Sequence, residues 1–289
     1  MTSDAAIRVD DVSFTYVGGA APAVRNVSFE IARGEIFGFL GPSGAGKSTM
    51  QKVLMRLLLG HTGHVEALGR RLQDWDTDYY ERIGVCFELP TNYRKLTARE
   101  NLDFFAALYD GETHQSGALL DLVGLGGDAD KRVEQFSKGM QIRLNFARAL
   151  LHKPVLLFLD EPTAGLDPAN ARRIRDLIRE QQAAGTTIFL TTHDMTVADE
   201  LCDRVAFIVE GALGVVDAPA ALKQRHGRRS VRVETEDAAG DGTHEFPLDG
   251  LGQDRAFLDL IASKRIRTIH SQEPTLEEIF IQVTGRGLE

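Results

Sequence analysis

The chain has 289 residues and a formal net charge of −9, long enough for one large core with a small appendage or for two domains. That acidity argues against a protein that coats nucleic acid, which carries a basic footprint, and against direct electrostatic attachment to acidic lipid. The opening residues, MTSDAAIRVDD, lack the charged and apolar regions of a signal peptide, and no apolar run approaches the ~18 residues of a membrane span, so a cytoplasmic protein is expected.

IRVDDVSFTY (7–16) alternates like a strand, and VRNVSFEI (24–31) follows a Gly-Ala-rich turn, which predicts an antiparallel pair. EIFGFLG (35–41) reads as a buried strand running into a glycine-rich loop, with a helical pattern from Lys47 to about Leu59. Further strands are predicted at HVEAL (64–68) and IGVCFE (83–88). Thr97 and Glu100 form a capping-box pattern ahead of NLDFFAALY, and the chain to 135 is helical without strand signals. A helical subdomain, about 92–152, is therefore expected between two core strands. The core resumes with VLLFLD (155–160), TTIFLTT (186–192) and RVAFIVE (204–210), separated by helices, which implies an α/β fold with a mainly parallel sheet covered on both faces. After 225 the pattern changes: SVRVETE, GTHEFPL, a helix near 253–264, RIRTIHS and a last helix capped by Thr275 and Glu278. This predicts a first domain at 1–225 and a small α+β domain at 226–289. Cys86 and Cys202 fit no metal spacing and read as reduced, buried thiols.

Two segments carry chemistry. GPSGAGKST spans Gly41, Pro42, Ser43, Gly44, Ala45, Gly46, Lys47, Ser48 and Thr49, and matches G-x-x-x-x-G-K-[ST] between a predicted strand and a predicted helix. Glycines let the backbone approach phosphate, the helix N-terminus favours an anion, Lys47 offers a mobile charge to the β- and γ-phosphates, and Ser48 offers an oxygen to Mg²⁺. In VLLFLDEP a buried strand delivers Asp160 to the metal and Glu161 to the γ-phosphate, where a general base for water belongs. Ser137, ahead of a helix predicted at 138–152, is a cap, and Asp167 caps the helix that starts at Pro168.

With FSKGM (136–140) and AGLDP (164–168) added, the chain over about 5–220 resembles the nucleotide-binding domain of an ABC transporter ATPase. The resemblance implies a P-loop NTPase cassette with an antiparallel β subdomain and an inserted helical subdomain, using ATP and Mg²⁺. It implies that Tyr16 stacks on adenine, that His193 contacts the γ-phosphate, and that Asp167 lies at a dimer interface. It also implies that Ser137, Lys138 and Gly139 close over ATP bound by a second copy in a head-to-tail homodimer. Lys138 replaces a signature glycine, Met140 the usual glutamine, and Glu88 the usual metal-contacting glutamine; Glu88 is expected to act as the metal-side sensor with Ser48 and Asp160. EPTLEEIFIQVTGR near the end resembles ATPase subunits of bacterial ABC-2 type drug and antibiotic exporters. The expected partners are a polytopic membrane permease and a second ATPase subunit, with no nucleic acid, and the expected place is the inner face of the cell membrane. An importer subunit and a soluble ABC ATPase without a transport role are the alternatives.

Overall fold

Residues 5–227, 230–237 and 240–287 are described in a computed structural model of the chain. They form two compact units that divide at Ala218/Pro219. In chain order the first unit runs β1 (Ala5–Phe14), β2 (Val24–Ala32), β3 (Ile36–Leu40), α1 (Lys47–Leu54), β4 (Thr62–Ala67), β5 (Arg70–Arg71), β6 (Ile83–Cys86), α2 (Ala98–Ala106), α3 (Ser116–Leu122), α4 (Lys138–Ala149), β7 (Leu156–Asp160), α5 (Pro168–Ala183), β8 (Thr187–Thr192), α6 (Met195–Leu201), β9 (Arg204–Val209) and β10 (Ala212–Asp217).

Alternating strands with one buried face make the first sheet, which is antiparallel in the order β2-β1-β4-β5, with Ile7 opposite Ile31 and Val9 opposite Phe29. Continuous apolar strands make the second, in the order β10-β9-β3-β8-β7-β6. It is parallel apart from the β9–β10 pair. Strands such as β3 and β8 are buried along their whole length, as a sheet covered on both faces requires. Between β6 and β7 come α2, α3 and α4, with the Thr97–Glu100 capping box formed at the start of α2. Phe29 of β2 stacks on Phe37 of β3 at 5.2 Å between centroids, while Phe189 of β8 meets Phe39 at 5.5 Å and Phe158 of β7 at 5.8 Å. This aromatic cluster joins the two sheets and fixes β3, β7 and β8 side by side.

Two helices are shorter than their periodicity predicts. α1 stops at Leu54 because Arg56 takes a left-handed φ of 62° and the Leu57 and Leu58 amides turn back to the Lys52 carbonyl. α4 stops at Ala149, where the Leu150 and Leu151 amides tighten onto Ala147 and Arg148 ahead of Pro154. Cys86 and Cys202 are both buried free thiols, and burial pushes the Cys86 thiol up to about 12.

The second unit holds α7 (Pro219–His226), β11 (Ser230–Asp237), β12 (Gly240–Pro247), α8 (Arg255–Ser263), β13 (Ile266–Gln272) and α9 (Leu276–Thr284). Its antiparallel sheet has the order β12-β11-β13. α7 packs on α9, which draws Pro219–His226 into this unit and places the division ahead of residue 225. Leu222, Val231, Val233, Leu276, Ile279 and Phe280 are buried.

Phe189 is fully buried and touches four other phenylalanines. Phe189→Ala is expected to cost about 3–5 kcal/mol of stability, read as a lowered urea midpoint, with Phe189→Leu falling well short of that.

Candidate functional site

In-register parallel pairing sets the site. Leu40 lies opposite Thr192, and Asp160 opposite Thr191, so the C-terminal ends of β3, β7 and β8 share one edge, where ligands of α/β sheets collect. From that edge rise the loop 41–46, the pair Asp160-Glu161, and His193.

The glycines of the loop do different jobs. A Cβ on Gly41 would overlap the Ile208 carbonyl oxygen, and one on Gly46 (φ 110°) would lie 2.5 Å from the Ala23 carbonyl oxygen, so both are required by packing against neighbouring backbone. Gly44 (φ 77°) faces open space, with nothing within 4 Å of its Cβ position, and it keeps the cradle's mouth clear. Gly46 also precedes α1 without any side-chain cap, leaving the first helical amides for an anion. Pro42 accepts the Ala45 amide, and Ala45 is buried while Ser43 and Ser48 are exposed. The Lys47 ammonium donates to the Gly41 and Pro42 carbonyls at 2.6 and 3.0 Å. Burial holds its pKa below the ordinary lysine value, against the opposing pull of Glu161, Asp160 and Glu88. Thr49 is buried and its hydroxyl is 3.1 Å from the Tyr16 hydroxyl. Tyr16 packs edge-on to Phe14 and remains 44% exposed, so one end of a flat ring is tethered beside the loop.

Asp160 accepts a hydrogen bond from Thr191 Oγ1. Burial foremost, with Glu161 and Glu88 adding repulsion, raises its carboxyl above the usual aspartate range. Glu161 has a left-handed φ of 48°, a strain of about 1–3 kcal/mol that aims its side chain at β8. There its carboxylate accepts from Thr192 Oγ1 (2.9 Å) and the His193 amide (2.8 Å), and lies 2.7 Å from His193 Nδ1. The Glu161 side chain is 10% exposed and that of His193 61%. Glu88 is exposed two residues beyond β6, and its charge bears on both Lys47 and Asp160. Lys47, Glu88, Asp160, Glu161 and His193 thus form one electrostatic group.

Ser137, Lys138, Gly139 and Asp167 stand apart from it. Among the described residues no hydrogen bond or ion pair links them to the loop or to the carboxylates. Ser137 Oγ caps α4 by accepting the Met140 amide at 3.2 Å. Asp167 caps α5, accepting from the Ala169 and Asn170 amides, and the bond from the Asn170 side chain foremost, with these two, holds its carboxyl below the usual range. The Lys138 stem lies over Gly165, its Nζ 3.2 Å from where a Cβ would stand, and Gly139 faces Leu166. The signature turn and the AGLDP loop therefore form one surface. Sequence reasoning missed Thr191 and Thr192; the signal was there in two threonines closing the strand next to the carboxylates.

The ABC transporter family model matches residues 24–164, and the model of a fluoroquinolone efflux ABC transporter C-terminal domain matches 229–273. A fluoroquinolones export ATP-binding protein of Mycobacterium tuberculosis is 55% identical over 98% of this chain and 94% of its own length. This chain belongs to the ABC transporter ATP-binding proteins. The bacitracin transport ATP-binding protein of Bacillus licheniformis is 33% identical, covering 97% of this chain and 98% of that one. Among solved structures, a dimeric bacterial ABC transporter cassette superposes with a TM-score of 0.66 at 28% identity, covering 73% of this chain and 98% of that one. A post-hydrolysis ATP-binding cassette with ADP and phosphate gives 0.67 at 28% identity, with the same coverage. The chain is thus an ABC ATPase. Among the described residues no helix is long and apolar enough to cross a membrane.

Gly46→Ala is expected to lower both the melting temperature and ATP affinity, since it meets a carbonyl as well as an unfavourable φ. Gly44→Ala, with only the φ against it, should do so much less. Asp160 supplies a pH test. A carboxyl whose folded pKa is raised binds its proton more tightly folded than unfolded, so its ionised form at pH 7 weakens the nucleotide-free protein. Nucleotide-free Asp160→Asn should therefore melt higher than the parent at pH 7, the gap closing as pH falls through the raised pKa and Asp160 takes up its proton.

Proposed function

We propose that this ABC ATPase energises export of fluoroquinolone-like or other amphiphilic antibiotics through a separate membrane permease, working as a homodimer on the inner face of the cell membrane. The observation that carries this reading is the 55% identity to a fluoroquinolones export ATP-binding protein, which extends through the C-terminal unit where the efflux-type domain model also matches. A permease contact is supported by an exposed aromatic patch on the helical subdomain. Tyr93, Phe104 and Leu108 are 49%, 45% and 64% exposed, and Tyr93 packs edge-on to Phe104 at 5.0 Å.

The residues fit Mg²⁺. Ser48 and Asp160, with Glu88 beside them, are hard oxygen donors, and one or two protein oxygens suffice for an ion that keeps waters and phosphate oxygens as its other ligands. When bound, Mg²⁺ would offset charge on the β- and γ-phosphates. Lys47 exchanges the Gly41 and Pro42 carbonyls for phosphate oxygens, while Tyr16 offers its ring to adenine. Glu161 gives up His193 and takes the proton of the attacking water, leaving His193 for the γ-phosphate. Ser137, Lys138 and Gly139 meet the γ-phosphate held by the other copy, with Asp167 at the same interface. Lys138 suits that role electrostatically: it begins α4, whose first turn has no acidic residue, so charge and helix dipole are both positive there.

The test is transport in inverted vesicles holding this chain and a polytopic permease that co-purifies with it. ATP-dependent uptake of a fluoroquinolone is expected, and uptake equal to that of permease-only vesicles would sink the reading. Glu161→Gln should reduce ATP turnover by about 10²- to 10⁴-fold while ATP still drives dimerisation in sedimentation.

A further inference from the structure

Helix α4 starts at the signature turn, and a second feature of it faces the opposite way. Asn145 is a polar residue with no exposure at all, a costly choice inside a helix unless every polar atom is met. Its amide donates to the Phe87 carbonyl at 2.8 Å and reaches Cys86 Sγ at 3.3 Å. Its Oδ1 accepts from Arg148 Nη2 at 2.6 Å. Arg148 then donates to the Thr91 carbonyl (2.9 Å) and the Thr91 hydroxyl (3.2 Å), with its guanidinium 4.6 Å from the centre of the Phe105 ring. Asn92 Nδ2 adds a bond to the Gln141 carbonyl of the same helix. The segment leaving β6 is thus strapped to α4 at Phe87 and at Thr91–Asn92. Glu88 lies between the two fastenings.

That placement matters because of charge. The charge of Glu88 bears on Asp160 and on Lys47 in opposite senses, so whatever holds the loop beyond β6 sets the balance between them. A glutamine would carry no such charge. We propose that Asn145, acting with Arg148, is the positioning residue for Glu88: it makes the loop a passenger of α4, so that one helix sets both the reach of Glu88 toward Mg²⁺-ATP and the position of Ser137 and Lys138. The inference rests on the reading of Glu88 as the metal-side residue.

The experiment measures ATP affinity by calorimetry in the full-length Glu161→Gln protein, once with Mg²⁺ and once with EDTA. The ratio of the two affinities is the gain due to metal. Asn145→Ala should reduce that gain about three- to tenfold and leave the EDTA value within about twofold. In a Glu88→Gln background Asn145→Ala should change nothing further, because its route to the metal is already removed. Equal effects of Asn145→Ala with and without Glu88→Gln would overturn the inference alone. An unchanged gain in Glu88→Gln itself would remove the underlying reading as well. Thr91→Val exchanges only the hydroxyl that Arg148 meets for a methyl, on an exposed residue, so it serves if Asn145→Ala does not fold: a smaller loss of metal gain supports the strap, and none overturns it.

Discussion

Parallel pairing of β3, β7 and β8 in one register is the constraint on which the rest of the site depends. With Leu40 opposite Thr192 and Asp160 opposite Thr191, three separate stretches of chain end at one edge. A slip of one residue would turn every side chain to the other face, sending Asp160 into a helix-covered layer. The register is held from below by the phenylalanines of β2, β3, β7 and β8, whose contacts leave little freedom for sliding. Precision at this edge therefore originates in the apolar core beneath it.

The carboxylates show how this precision becomes electrostatics. Two acids in sequence at a strand end repel each other, and burial works against ionising Asp160. The structure answers with two hydroxyls from the neighbouring strand, Thr191 to Asp160 and Thr192 to Glu161. Glu161 leaves β7 in a left-handed conformation, and its carboxylate still meets the Thr192 hydroxyl one residue beyond the Asp160–Thr191 pair.

Local patterns made the phosphate loop, the strand ends and the capping boxes at Thr97 and Thr275 readable, because each is written within a few residues. The same holds for Asp160 and Glu161, where five apolar residues lead into the pair. What depends on distant pairing was hidden. The Tyr16–Thr49 contact joins residues 33 apart, and the Thr192–Glu161 bond joins residues 31 apart. Nothing in the local pattern marks Asn145, whose partner at Phe87 lies 58 residues away. The early stop of α1 at Leu54 lay outside periodicity too, since it is set by one left-handed residue, Arg56.

Lys47 begins with its ammonium on two carbonyls of its own loop. Any incoming anion must displace both before it gains the lysine. On the proposed reading, inorganic phosphate would bring few other contacts to offset that exchange, whereas a nucleoside triphosphate would also bring a base beside Tyr16 and a chain of oxygens along the α1 amides. The resting lysine would then act as a discriminator, favouring a ligand long enough to engage the whole cradle over a small anion that meets the lysine alone.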